Sequence, residues 1–139
     1  MSLNFQYGHN VDQSKPRHPS LYRLAGSDIE LLFSSCDACS ALTLGANVYG
    51  CRVCGSERLQ VIARPGTARL LACIELGAEV IPGLKPPQAI GEIEIAPGVI
   101  EEALLIGPAS RYAPGMRVVA RPIVVDGDVL DCWFEEAAP

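Results

Sequence analysis

Four of the six cysteines in this 139-residue chain stand in two Cys-x2-Cys pairs, Cys36-Asp37-Ala38-Cys39 and Cys51-Arg52-Val53-Cys54, with eleven residues between the pairs. Each pair can turn into a knuckle that aims two thiolates at one point. A short hairpin between them completes a tetrahedral four-sulfur shell. Such a shell leaves no open position for water or substrate, so the metal it implies is structural. Its ligation adds to folding, on the order of 10–16 kcal/mol in small zinc peptides. The ligand set of Cys36, Cys39, Cys51 and Cys54 suits one zinc ion. A rubredoxin-like iron site uses the same four thiolates, and disulfides are disfavoured in a reducing compartment. Gly55 after Cys54 suits a knuckle, because a residue without Cβ lets backbone amides turn toward sulfur. Ser40 holds the matching place after the first pair.

Outside the cysteine segment the pattern is that of a turn-rich β protein. Thirteen Gly and eleven Pro accompany only 19% charged residues. Residues 1–19 are polar and aperiodic, which predicts a flexible arm. Ser20 to Phe33 turns apolar but is interrupted at Gly26-Ser27-Asp28, giving a short helix or turn and then an extended run into Cys36. Strands are expected at Leu59–Ala63 and at Ala68–Leu76, the latter apolar on both faces. A proline-rich loop over 77–88 follows. Ala89–Ile95 and Val99–Ile106 form a hairpin about Ala96-Pro97-Gly98, and a second loop spans Gly107–Gly115. Met116–Val125 is a β-branched strand in which Pro122 marks an edge or bulge, and Asp126-Gly127 suits a two-residue turn into Val129–Glu135. The fold class expected is mainly β: an N-terminal rubredoxin-like zinc ribbon followed by a five-stranded OB-fold barrel. The segments are an arm at 1–19, a ribbon with its lead-in at 20–65, and the barrel at 66–139.

Several function classes are poorly matched. The longest uncharged stretch, Ala38 to Cys51, is fourteen residues and contains Ser, Thr, Asn and Gly, short of the ~20 apolar residues that span a bilayer. Met1–Ser20 lacks the apolar run of a secretory signal, so a cytoplasmic protein is expected. The only histidines, His9 and His18, lie in the arm, and no basic or His neighbour activates Cys73 or Cys132, which read as small buried residues. Glu92/Glu94 and Glu101/Glu102 read as the solvated side of a sheet rather than an acid–base pair. Net charge is −5; residues 1–69 carry seven basic and five acidic side chains, residues 70–139 four and eleven. An acidic barrel repels a phosphate backbone. From Gln60 to Asp131 there is one aromatic, Tyr112, against the several that stack single-stranded bases. The basic stretch Arg52, Arg58, Arg64 and Arg69 reads as a solvated face. A stand-alone module for RNA or single-stranded DNA is therefore the alternative rather than the leading reading.

The order of a short lead-in, the ribbon ending in Cys54-Gly55-Ser56, and a barrel closing with Gly115-Met116-Arg117-Val118-Val119 and Trp133-Phe134-Glu135 resembles the acyl-CoA-associated zinc-ribbon/OB-fold family over about residues 20–136. Members of that family are small subunits that accompany thiolases, ketosteroid-type aldolases, hydroxymethylglutaryl-CoA synthase assemblies and some acyl-CoA hydratases. The chain departs from the family pattern at Ser40, at Asn47-Val48-Tyr49-Gly50 and at Pro65-Gly66-Thr67. The resemblance implies a non-catalytic subunit in a hetero-oligomer with a thiolase-fold or related acyl-CoA enzyme, helping to shape or cover its acyl-CoA site. Acyl-CoA is then a ligand of the complex. On this view the 77–88 loop lies against the partner, and Lys85, Arg111 and Tyr112 are candidates to approach a CoA phosphate or adenine.

Overall fold

The computed structural model describes residues 15–79, 82–125 and 127–138. Of the arm expected over 1–19, residues 1–14, with His9, lie outside them. Lys15–Pro16 forms a two-residue strand, β1. The fold is mainly β, with no α-helix among the described residues and no helix long and apolar enough to cross a membrane.

Of the short helix or turn expected in the lead-in, the turn is what forms, at the head of a hairpin. β2 (Tyr22–Ala25) and β3 (Asp28–Cys36) pair antiparallel, so the Gly26-Ser27 interruption is their turn. Ile29, Leu31 and Phe33 alternate inward along β3, the period-2 pattern that suits a strand and not a helix. β3 is the centre of this sheet: β4 (Leu42–Leu44) continues the edge begun by β2, and β5 (Leu59–Pro65) pairs along the other edge from Glu30 to Cys36. Cys36 thus sits at the end of the best-supported strand of the ribbon.

Five longer strands follow: β6 (Thr67–Leu76), β7 (Gln88–Ala96), β8 (Val99–Leu104), β9 (Arg117–Val125) and β10 (Val129–Glu136). Their order is β10-β9-β6-β7-β8, with β1 added in parallel to β10. A parallel bridge between Leu105 and Phe134, with the Ile106 amide donating to the Phe134 carbonyl at 2.8 Å, closes the end of β8 onto β10. First strand beside fourth and third beside fifth is the five-stranded OB barrel. Register shifts between Leu70 and Ala72, and between Glu94 and Ala96, mark the bulges at which the sheet curls.

Three local expectations are corrected. β6 is not buried on both faces: Ala68 and Leu70 point inward, while Ile74 is 59% exposed. Pro122 sits in an inner strand, yet β6 pairs with β9 only over Arg117–Val119, so its missing N–H breaks no ladder on that side. The last hairpin pairs Val125 with Val129, leaving three residues in the turn instead of two.

Ribbon sheet and barrel share one core. Tyr22, Ile29, Leu31 and Phe33 join Leu70, Ile93, Leu105, Val118 and Leu130 in a continuous buried cluster. The Tyr22 hydroxyl donates to the Leu130 carbonyl at 2.6 Å. At the junction Gly66 donates to Ile29 O (3.2 Å) and accepts from the Ala120 amide (2.6 Å). A Cβ at Gly66 would stand 2.6 Å from the Ala120 Cβ, so only glycine allows this approach. A smaller cluster of Leu84, Ile123, Val125 and Trp133 seats Leu84 on the barrel.

Candidate metal centre

The two knuckles repeat one design. In the first, the Ser40 amide donates to Cys36 O (2.8 Å) and the Cys36 amide to Ala41 O (3.0 Å). In the second, the Gly55 amide donates to Cys51 O and the Cys51 amide to Ser56 O, both at 2.9 Å. The residue after each second cysteine takes a left-handed conformation, Ser40 at φ +66° and Gly55 at φ +78°. Gly55 adopts it freely, whereas a residue with a Cβ does so at a cost of roughly 1–2 kcal/mol.

All four sulfur atoms lie within 4.8 Å of one another. Cys36 and Cys54 are 3.5 Å apart at sulfur, as are Cys39 and Cys51, so the nearest approaches cross between the knuckles. A tetrahedral centre with metal–sulfur bonds of about 2.3 Å has sulfur–sulfur edges of about 3.8 Å, and the observed cluster fits that size. Cys36 and Cys51 are buried and Cys39 and Cys54 exposed, one of each from each pair.

The amides are arranged to favour thiolates. Those of Cys39 and Ala38 hold the Cys36 thiol below its ordinary range, and those of Cys54 and Val53 bring Cys51 down to about 6. Cys39, although the Ala41 amide favours its thiolate, is pushed up to about 12 by the adjoining Cys51 and by burial. Four neighbouring thiols do not ionise together without a cation; a dication removes that obstacle, which is the chemistry of this donor set.

Lys85 is exposed in the 77–88 loop. Arg111 pairs with Glu136 at 3.5 Å. Tyr112, in contrast to a ligand-facing role, is buried at 8% exposure, its hydroxyl donating to Ile106 O, and burial raises its phenol to about 12. Cys73 packs against the core, and its thiol is raised by burial and by Glu75. Cys132 is raised to about 12 by burial and the Asp131 charge, which opposes a nucleophilic role. It nonetheless shares a hollow of about 290 Å³ with His18, Tyr22 and Phe134, between ribbon and barrel. Sequence order gave no hint of that proximity, since His18 and Cys132 stand at opposite ends of the chain. Glu92 and Glu94 do lie on the outer side of β7, where Glu94 is bound by Arg69 at 3.0 Å.

No family model and no curated protein matches the chain. Among solved structures it is similar to a chain of the "Ltp2-ChsH2(DUF35) aldolase", with a TM-score of 0.65 and 24% identity over 78% of this chain and 86% of that one. At that identity the likeness concerns the fold, a ribbon followed by an OB barrel.

Proposed function

We propose that the chain is a non-catalytic accessory subunit of an acyl-CoA enzyme complex, docking on a thiolase-like catalytic subunit in the cytoplasm. There it helps to form or cover the acyl-CoA site during C–C bond cleavage or formation. The observation that carries this reading is the combination of a closed four-cysteine centre with an OB barrel, in the arrangement shared with a chain of an aldolase whose name includes a DUF35 component. A structural zinc ion held by Cys36, Cys39, Cys51 and Cys54 would cross-link the two knuckles and supply no reaction step. Its role is to stiffen the ribbon tip, where Tyr49 is 89% and Val53 75% exposed. Two large apolar side chains on a tip so rigidly held suit a partner's surface.

The test is affinity purification of the tagged chain from its native cells, with mass spectrometry of the eluate. A near-stoichiometric acyl-CoA enzyme subunit is expected, and Tyr49→Asp with Val53→Asp should release it while leaving bound zinc unchanged. Elution alone, or with nucleic acid, would refute the subunit reading.

A further inference from the structure

Three arginines from three strands surround one open groove of about 420 Å³ beside the junction of ribbon and barrel. Arg64 reaches it from β5, Arg69 from β6 and Arg117 from β9; Thr67, Glu94 and Gly98 complete the lining. The sequence gathers only two of these arginines into a basic stretch, and the fold adds the third.

The register makes the grouping unfavourable in isolation. Arg69 and Arg117 are direct cross-strand partners, and like charges directly opposite each other destabilise a sheet. Glu94, the partner of Arg69 across β7, binds Arg69 at 3.0 Å and accepts the Gly98 amide at 3.2 Å, fixing one guanidinium and the hairpin tip. Among the described residues Arg64 and Arg117 have neither an ion pair nor a side-chain hydrogen bond. One carboxylate therefore stands against three guanidinium groups, an excess of two positive charges on the surface of a chain whose net charge is −5.

We propose that this groove binds the phosphate group of a small phosphorylated molecule. A phosphate monoester carries about −1.5 to −2 at neutral pH, which matches the excess. Guanidinium forks match phosphate oxygens in pairs, and two unpaired arginines are free to close on them while Arg69 is held in place. The groove has no Phe, Tyr or Trp in its wall, so it offers the stacking surface that single-stranded nucleic acid needs nowhere along its length.

Pyrophosphate titrated into the ¹⁵N-labelled, metal-loaded chain at low ionic strength tests this. Saturable amide shifts are expected at Thr67, Arg69, Gly98 and Arg117. Arg64→Gln and Arg117→Gln should each weaken binding about tenfold or more, the value of one charge-assisted hydrogen bond. Arg23→Gln removes the same charge from an arginine paired with Glu30 in the ribbon hairpin and should leave affinity unchanged. Absence of saturation, or equal weakening by Arg23→Gln, overturns the proposal. Citrate binding as tightly as pyrophosphate would assign the groove to carboxylates. Decathymidylate displacing pyrophosphate at equal phosphate concentration would assign it to a nucleic-acid backbone, and either result overturns it too.

Discussion

Gly66→Ala tests whether ribbon and barrel are welded where their backbones meet. The new Cβ would lie 2.6 Å from the Ala120 Cβ and 2.9 Å from the Ile29 carbonyl oxygen, against the 3.5–4.0 Å or so at which carbon contacts are comfortable. Neither neighbour has a rotamer to move, so the strands must part, stretching the hydrogen bonds from Gly66 to Ile29 and from Ala120 to Gly66. Overpacking of this kind costs about 3 kcal/mol and a weakened hydrogen bond about 1 more, while the stiffer unfolded chain offsets roughly 1. The net loss is about 3 kcal/mol. At about 2.1 cal/mol/K per residue, a chain of this length loses some 0.3 kcal/mol per degree near its midpoint, so Tm falls by about 10 °C. Calorimetry of the metal-loaded protein reads this directly. Ala120→Gly in the same chain removes the closer of the two clashes and should recover part of the loss. Gly91→Ala, whose Cβ meets only the side-chain tips of Leu70 and Leu105, should cost less. A Gly66→Ala midpoint within about 3 °C of the parent, or no recovery from Ala120→Gly, would refute the reasoning.

Ser40→Gly should raise Tm by a few degrees, because about 1–2 kcal/mol of left-handed strain at φ +66° is relieved against about 0.5–1 kcal/mol of added chain entropy; a lower Tm would count against the shared knuckle design. Cys39→Ala or Cys54→Ala should abolish metal binding by elemental analysis, whereas Cys73→Ala and Cys132→Ala should retain one equivalent; equal loss in both sets would overturn the ligand assignment. Tyr22 has its phenol raised to about 12 by burial and by the Asp131 charge, so the folded state favours the neutral form. Its contribution is complete below about pH 10 and disappears as pH rises toward 12, and Tyr22→Phe should flatten that part of the alkaline unfolding curve, at a cost of about 1 kcal/mol at neutral pH.

The four-cysteine cluster was legible because knuckle chemistry is local: four cysteines at fixed spacing define it before any tertiary contact forms. The β7–β8 hairpin was legible for the same reason, its turn residues lying between two alternating runs. The β2–β3 hairpin was obscured because Gly26-Ser27 looks alike as a break within one element and as a turn between two. Tyr112 read as a loop residue open to ligand, since nothing in the eight flanking loop positions reports that its ring is buried and its hydroxyl is held by a carbonyl. Arg64, Arg69 and Arg117 belong to three strands, and only the register of β6 with β9 brings Arg117 to the other two.

The outer edge of β10 is taken up piece by piece. Lys15 and Arg17 donate to the carbonyls of Asp128 and Leu130, Ile106 donates to that of Phe134, and between them the Asp131 carboxylate accepts the Cys132 amide at 2.9 Å. A β-protein with an open edge invites another chain to extend its sheet, and such growth ends in fibres or swapped dimers. Here the invitation is withdrawn along the seam by the segment Lys15–Arg17, the Ile106 amide and one side chain. Any protein that binds this face must do so through side-chain complementarity, and concentrated solutions gain no template for strand-by-strand association from it.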